Sequence, residues 1–276
     1  MRKVLSIVAL AALAGAAPAQ DMSQVNGYAM EARLFNDFGG TTLTVNGVNQ
    51  PAHVTYPLAY GPVHINEQFA FGEAGNFANK HVAWLSTDGG ATKARTNIGQ
   101  SWSMDFDVTM NSVSASPRKE AGIEFWQPRG LYASPSYNDE GQMLIASDNG
   151  EVAVFGASLP FTGFGTGCYT LGTTAHVSFS YYAPGVAPGT TRGSYRLIFT
   201  DAVTGVHDSG YKEWGPEFDG VEGMRGTYVG FKDQNQRNPF LADNADVIYN
   251  NLSIIPAPAA LGVLGLGGLA AARRRR

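Results

Sequence analysis

Three carboxylates and one tryptophan on two strand-like segments offer the clearest chemistry in the chain. Asp105 and Asp107 lie on the polar side of one alternating segment, and Glu124 and Trp126 share one side of the next. Carboxylates that accept hydrogen bonds from hydroxyl groups, beside an exposed aromatic ring, are typical of sugar-binding sites. If the two segments are neighbouring strands, the sequence predicts a glycan-binding face made of these four residues. The alternative is a packed Trp126 beside solvated carboxylates.

A second group of oxygen ligands precedes the last predicted strand. Asp243 and Asp246 flank Asn244 and Ala245, and Ca²⁺ prefers six to eight such oxygen ligands. No EF-hand loop occurs in the sequence, and ordinary aspartates of a surface turn are the alternative. Calcium is therefore the one cofactor that we consider; otherwise we expect none.

These residues must be positioned by strands rather than helices. Glycine accounts for 34 of 276 residues, which disfavours a helical protein. Apolar and polar residues alternate with the two-residue period of half-buried strands, and Asp148-Asn149-Gly150 is a hairpin signal. We predict one all-β antiparallel sandwich of the jelly-roll type over residues 20–255, with these side chains facing inward: Trp102, Met104, Phe106, Val108, Ile123, Phe125, Phe179, Leu197 and Phe199.

Three of the strand segments resemble those of the concanavalin-like lectin and glucanase jelly rolls. They are residues 103–107, residues 121–126 and the closing segment 245–254. The resemblance implies a two-sheet sandwich and a carbohydrate as ligand. It does not by itself imply an activity, because one fold serves many functions.

The catalytic spacings of familiar enzymes are missing from the sequence. Lectin-like glucanases have a Glu-x-Asp-x-x-Glu strand motif, whereas the segment from Glu120 to Glu124 lacks the middle Asp. Pro160 stands where a serine hydrolase needs glycine, and Cys168 has no neighbouring histidine. We therefore predict a non-catalytic module that binds glycans. The alternative is a carbohydrate-active enzyme, either a glycoside hydrolase or a lyase.

The two ends of the chain are predicted to direct its export. Residues 1–19 combine a basic start, an apolar run and an Ala-Pro-Ala site, which is typical of a signal peptide cut by signal peptidase. Residues 256–276 contain Pro256 and Pro258, then an apolar run, then the basic cluster Arg273, Arg274, Arg275 and Arg276. The apolar run is short for a membrane span, but its arginine flank favours a membrane helix with a cytoplasmic C-terminus.

This tail resembles the PEP-CTERM sorting segment, with Pro-Ala-Pro in place of Pro-Glu-Pro. The resemblance implies handling by an exosortase-type sorting protease, and it covers only the last 21 residues. We expect an exported protein that is transiently anchored in the membrane or located at the cell surface or outside the cell. Polysaccharide is its expected partner.

Charge excludes one class of partner. Six of the 19 basic residues lie in the two end segments, whereas all 23 acidic residues lie in the body between them. The body is therefore strongly acidic. Because nucleic acid binding requires Lys and Arg to neutralise phosphates, we expect no nucleic acid partner.

Overall fold

A computed structural model of the protein describes residues 20–36, 39–50, 54–69, 78–127, 140–215, 223–236 and 243–256. The predicted signal peptide lies outside the described residues, as does nearly all of the predicted sorting segment, including Pro258 and Arg273 to Arg276. Pro256 ends the last strand. The described part of the chain contains no helix with the length and apolar character that a membrane crossing requires.

Strands dominate the described residues, which also include a short 3-10 turn at Met22–Gln24. The strands are β1 (Gly27–Asn36), β2 (Thr42–Val45), β3 (Val48–Gln50), β4 (Val54–Ala59), β5 (Val63–Phe69), β6 (Asn79–Ser86), β7 (Trp102–Met110), β8 (Lys119–Trp126), β9 (Glu140–Ala146), β10 (Val152–Gly156), β11 (Thr162–Gly165), β12 (Thr174–Tyr182), β13 (Ser194–Asp201), β14 (Gly205–Asp208), β15 (Lys212–Glu213), β16 (Tyr228–Asn235) and β17 (Asp243–Pro256).

Two antiparallel sheets form the predicted sandwich. The eight-stranded sheet has the order β11-β10-β9-β8-β16-β6-β1-β4. The nine-stranded sheet has the order β14-β13-β12-β7-β17-β5-β2-β3, and β15 pairs with β13. The predicted Asp148-Asn149-Gly150 hairpin is confirmed, since β9 and β10 pair directly across it.

A continuous apolar core fills the space between the sheets. All nine side chains predicted to face inward are buried there, at no more than 1% exposure. Phe106 illustrates the packing, because its ring lies 4.9 Å from Phe231 of the opposite sheet and 5.9 Å from Tyr249. Each such contact removes apolar surface from water, which is the main force that holds two sheets together.

A polar network replaces the apolar core at one end of the sandwich. Glu67 of β5 accepts hydrogen bonds from Thr41, Asn79 and Asn235, at 2.6, 2.7 and 3.0 Å. It also lies 3.2 Å from His81 of β6. Although burial alone would raise the pKa of Glu67, His81 and these hydrogen bonds lower that pKa to about 2. The network therefore joins the sheets through a buried charge.

Candidate active groove on the eight-stranded sheet

The four residues of the predicted glycan face do not lie on one face. Asp105 and Asp107 belong to β7 in the nine-stranded sheet, whereas Glu124 and Trp126 belong to β8 in the eight-stranded sheet. Each pair points away from the core of its own sheet, so the whole sandwich separates the two pairs. The prediction of a single four-residue face is wrong, because the chain crosses between the sheets after β7 instead of forming a hairpin.

Asp105 and Asp107 lie on an open surface of the nine-stranded sheet. Asp107 is hydrogen-bonded by Asn251, at 2.7 Å, and its other oxygen lies 2.8 Å from His176 of β12. Partial burial raises the pKa of Asp107, but these two partners lower it more, so the net shift is downward. The His176 side chain is 52% exposed. This arrangement is a solvated polar surface.

The outer face of the eight-stranded sheet, in contrast, contains a cavity of about 240 Å³. We call this cavity the polar pocket. It is lined by two aromatic rings, two glycines and five polar side chains: Phe35, Lys80, Glu124, Glu140, Gly141, Gln142, Phe155, Gly156 and Gln234. A concave site with apolar walls and a few converging polar groups is the usual form of a small-ligand site.

Lys80 links two carboxylates at the base of the polar pocket. Its ammonium nitrogen lies 3.1 Å from Glu124 Oε1 and 3.1 Å from Glu140 Oε2. These two oxygens are therefore at most about 6 Å apart and share one ammonium group. Glu124 is 1% exposed, and its second oxygen, Oε2, has no hydrogen-bond partner among the described residues.

The environment of the polar pocket acts differently on its two ionised partners. Burial raises the pKa of the Glu124 carboxyl, and the ammonium groups of Lys80 and Lys232 offset this only in part. Burial would lower the pKa of Lys80, but Glu124 and Glu140 raise it by more, so Lys80 remains an ammonium. Burial therefore favours the protonated form of Glu124.

Strand register explains how residues distant in sequence meet here. Gln142 of β9 is directly opposite Glu124 in the β8–β9 pair, and Glu140 is the next residue of β9 on the same face. On the other side, Glu124 pairs with Gly230 of β16. A Cβ atom at Gly230 would lie 2.7 Å from the Ala83 carbonyl oxygen, so only glycine fits. Lys80 extends over β16 from β6 to reach Glu124.

A second ion pair extends the polar surface along the same strands. Lys232 contacts Gln142 and donates to Glu120 Oε2 at 3.0 Å. Arg118 donates to the other oxygen of Glu120 at 2.7 Å. Burial raises the pKa of Glu120, but Lys232 and Arg118 lower it by more. Glu120 is therefore an ionised, fully paired carboxylate, in contrast to Glu124.

Trp126 belongs to an aromatic cluster on the same outer face, further along β8 than Glu120 and Glu124. Its ring lies 5.7 Å from Tyr228 and 6.4 Å from Trp84. The ammonium of Lys93 lies 5.1 Å from the Trp126 centroid and 2.7 Å from Glu31 Oε2. Lys93 therefore covers part of the ring surface that the sequence assigns to a sugar. The Pro128-Arg129-Gly130 segment lies outside the described residues.

Asp243 and Asp246 do not form a shared calcium site. Asp243 faces the interior, where Lys119 contacts it and Ser114 donates to it at 2.7 Å. Asp246 faces outward and binds Asn66 at 3.0 Å and His64 at 2.9 Å. The prediction that the two carboxylates share one ion is wrong, because residues three apart on a strand point to opposite faces. No group of at least three His, Cys, Asp or Glu suited to a metal ion occurs among the described residues.

The sequence prediction included Glu124 but missed its partners. Lys80 lies in a strand that is buried along its whole length, so no alternation of polar and apolar residues marks it. Glu140 and Gln142 do alternate with Gly141 and Met143 ahead of the confirmed hairpin. That alternation is the one signal that could have placed them on a polar strand face.

Comparisons with known proteins give the following results. No family model matches the chain, and no curated protein matches its sequence. The structure is similar to a PL-14 alginate lyase from Aplysia kurodai, with a TM-score of 0.42 and 8% identity, over 82% of this chain and 98% of that chain. It is also similar to lectin II from Ulex europaeus, with a TM-score of 0.37 and 11% identity, over 71% of this chain and 94% of that chain.

A third similar structure is the alginate lyase vAL-1 from a Chlorella virus. Its TM-score is 0.38 at 12% identity, and the match covers 79% of this chain and 92% of that chain. Lectins and lyases thus occur together among the similar structures, at TM-scores too low to transfer a function.

Proposed function

We propose that the protein binds a carbohydrate on the outer face of the eight-stranded sheet, with one sugar residue in the polar pocket. The observation that supports this most strongly is the cavity of about 240 Å³ lined by the buried Glu124, whose Oε2 has no hydrogen-bond partner among the described residues. A buried acceptor without a partner is unfavourable, and a ligand hydroxyl group would satisfy it.

The walls of the polar pocket match the two kinds of surface on a sugar ring. Glu140, Gln142 and Gln234 supply donors and acceptors for hydroxyl groups. Phe155 supplies aromatic surface for the apolar face of the ring, whereas the Phe35 ring is covered in part by Lys80, 4.8 Å from its centroid. Drug-sized ligands occupy cavities of ~300–1,000 Å³, so the smaller polar pocket suits a single residue of a longer chain.

A binding experiment tests this proposal directly. The purified protein is applied to a glycan array, and the best oligosaccharide is titrated by calorimetry. We expect Gln142→Ala to weaken binding about tenfold or more, because each lost hydrogen bond contributes ~1 kcal/mol and buried groups are left unpaired. Asp105→Asn on the other sheet is the matched control and should bind as the parent does. Equal losses in both variants would refute the proposed location.

We also propose that this domain acts outside the cytoplasm. The support is in the sequence: the signal-peptide pattern of residues 1–19 and the sorting-type pattern of residues 256–276. N-terminal sequencing of the mature protein should begin near Gln20. Deletion of residues 256–276 should release a folded domain into the medium. Mature protein that starts at Met1, or a truncated form that stays on the membrane, would contradict this.

A further inference from the structure

We propose that Gln20 is a modification site: once residues 1–19 are removed, it closes to a neutral pyroglutamyl lactam, in a step that the backbone of Arg95 promotes. This inference rests on the export proposed above, in which the mature chain begins at Gln20. It adds a covalent change to that proposal. Its basis is the pair of hydrogen bonds through which Gln20 is bound to Arg95.

Two hydrogen bonds join Gln20 to this one residue. The main-chain nitrogen of Gln20 donates to the Arg95 carbonyl oxygen at 2.8 Å. The Arg95 amide donates in turn to the side-chain oxygen Oε1 of Gln20, at 3.1 Å. In an antiparallel strand pair, two residues exchange bonds in this way through their main chains alone. Here the side-chain carbonyl of Gln20 replaces the main-chain carbonyl, so the nitrogen and the side-chain amide of Gln20 both lie against Arg95.

A pyroglutamyl ring presents the same two hydrogen-bonding groups as Gln20 does. The lactam has one N–H donor and one C=O acceptor, and the ring holds both on the same side of the amide bond. These are the groups that Gln20 already uses, so both bonds to Arg95 can be kept after the ring closes. The ring also lacks the charge of a free α-amino group, as other blocked N-termini do.

Arg95 is a rigid partner because the residues on either side of it are fixed. Ala94 donates to the Leu85 carbonyl oxygen at 2.7 Å, and Thr96 donates to the Thr227 carbonyl oxygen at 3.0 Å. Both Ala94 and Thr96 are buried. The amide and the carbonyl of Arg95 itself are therefore held in place for the N-terminal residue.

The residues after Gln20 are fixed as well. Asp21 caps the 3-10 turn by accepting a hydrogen bond from the Ser23 amide at 2.9 Å. Met22 is fully buried in the core between the sheets. Chain termini fray unless such contacts hold them, so these contacts keep Gln20 beside Arg95.

The ring closes without a co-reactant. The unprotonated α-amino nitrogen of Gln20 attacks Cδ of its own side chain, which forms a C–N bond. The bond from Cδ to Nε2 breaks, and Nε2 leaves as ammonia with the proton that the α-amino nitrogen loses. The Arg95 amide, which donates to Oε1, stabilises the negative charge that develops on this oxygen during the attack.

Mass spectrometry of the mature protein tests this inference. The protein is isolated from cells that export it, and its N-terminal peptide is sequenced by tandem mass spectrometry, because chemical sequencing needs the free amine that a lactam lacks. We expect the peptide to begin at Gln20 and to be lighter than the unmodified peptide by about 17 Da, the mass of ammonia.

Gln20→Asn is the matched control. It keeps the side-chain amide, but with one methylene fewer the same attack would have to form a strained β-lactam. The N-terminal peptide of this variant should therefore keep its full mass. An equal loss of mass in Gln20→Asn would place the change at another residue of the peptide and refute the assignment to Gln20.

A rate measurement tests the contribution of Arg95. Residues 1–19 are replaced by a leader that a protease removes to expose the amine of Gln20, and the mass is then followed with time in buffer and in urea. Ring closure should be at least about fivefold faster in the folded protein, because the fold holds the reacting groups together. Equal rates, or faster closure in urea, would refute the contribution of Arg95.

The failure of ring closure and the failure of the proposed export give different results. A mature peptide that begins at Gln20 with its full mass refutes ring closure and leaves the export proposal standing. A peptide that begins at Met1 refutes both. A peptide that begins at another residue near Gln20 refutes ring closure and the predicted cleavage position, but not export. Glycan binding in the polar pocket does not depend on any of these outcomes.

Discussion

The two outer faces of the sandwich have charged residues of the same kinds in very different surroundings. On the nine-stranded sheet, Arg196 and Asp208 form an ion pair whose side chains are 36% and 38% exposed. On the eight-stranded sheet, Lys80 and Glu124 form one at 5% and 1%. Buried and partly exposed residues alternate along β7 and β12 of the nine-stranded sheet, whereas β6 and β8 of the eight-stranded sheet are buried along almost their whole length. Burial of the polar side, rather than its charge content, is what distinguishes the candidate site.

This comparison predicts a large difference in stability between matched variants. Lys80→Ala should destabilise the protein by about 3–5 kcal/mol at pH 8, because it leaves Glu124 buried without its countercharge. Arg196→Ala should change stability by less than about 1 kcal/mol, since exposed ion pairs contribute little. Urea unfolding of both variants measures this. Similar losses would mean that the two faces do not differ in the way described.

The inner face of the eight-stranded sheet contains another buried acid, Asp233. Burial raises its pKa to about 7. Its charged and titratable neighbours are Glu67, His81, Lys119 and Lys232, and its neutral polar neighbours are Asn235 and Tyr249. Because the folded pKa lies above the unfolded value of 3.8, Asp233 favours folding at low pH. That contribution is lost as the pH rises through about 7.

Asp233→Asn should therefore stabilise the protein at pH 8 by about 2–4 kcal/mol, at ~1.4 kcal/mol for each pKa unit. The gain should shrink as the pH falls and vanish below about pH 4, where Asp233 is protonated in both states. Thermal unfolding from pH 4 to pH 8 measures this. Asp105→Asn, on the exposed face, is the control. A gain independent of pH would show that ionisation of Asp233 is not the cause.

The aromatic cluster around Trp126 allows a test of glycan affinity on the eight-stranded sheet. From sequence alone, Trp126→Ala is expected to abolish glycan binding and leave the fold intact. The structure predicts a smaller loss, about tenfold, because Lys93 already covers part of that ring, and stacking contributes ~0.5–1.5 kcal/mol. Lys93→Ala should bind at least as tightly as the parent. Calorimetric titration of both variants measures these affinities. A loss of affinity in Lys93→Ala would mean that Lys93 contacts the ligand.

The smallest expected effect is that of changing Asp105 and Asp107 on the outer face of the nine-stranded sheet. Asp105→Asn combined with Asp107→Asn should leave glycan affinity unchanged within about twofold, because the sandwich separates these residues from the polar pocket. The same titration measures it. A tenfold loss would transfer the binding site to the nine-stranded sheet and reverse the comparison.

Local sequence patterns predict the strands better than they predict the site. The inward side of β7 follows from residue alternation alone, as does that of β12, since each strand has one apolar and one polar side. Whether β7 and β8 are neighbours does not follow, because nothing between Asn111 and Arg118 specifies a hairpin or a crossing between sheets. The Lys80 link to Glu124 and Glu140 depends on that choice of sheet and on strands far apart in sequence.

The N-terminal region shows the same distinction. Residues 26–66 alternate only weakly, and the sequence indicates no more than an irregular edge of the sandwich. The structure places β1 and β5 in the interior of the two sheets. Their register is set by tertiary contacts, including Tyr28 packed 6.0 Å from Phe231 and Glu67 bound to Thr41 and Asn79. The position of these strands within the sheets is set by long-range packing, which local sequence patterns do not specify.

A crystal structure of the protein with a bound tetrasaccharide tests the central claim most directly. We predict one sugar residue in the polar pocket, with a hydroxyl group within hydrogen-bond distance of Glu124 Oε2. Its neighbouring residues should extend along the outer face of the eight-stranded sheet. A tetrasaccharide bound instead on the nine-stranded sheet, near Asp105 and Asp107, would contradict the account.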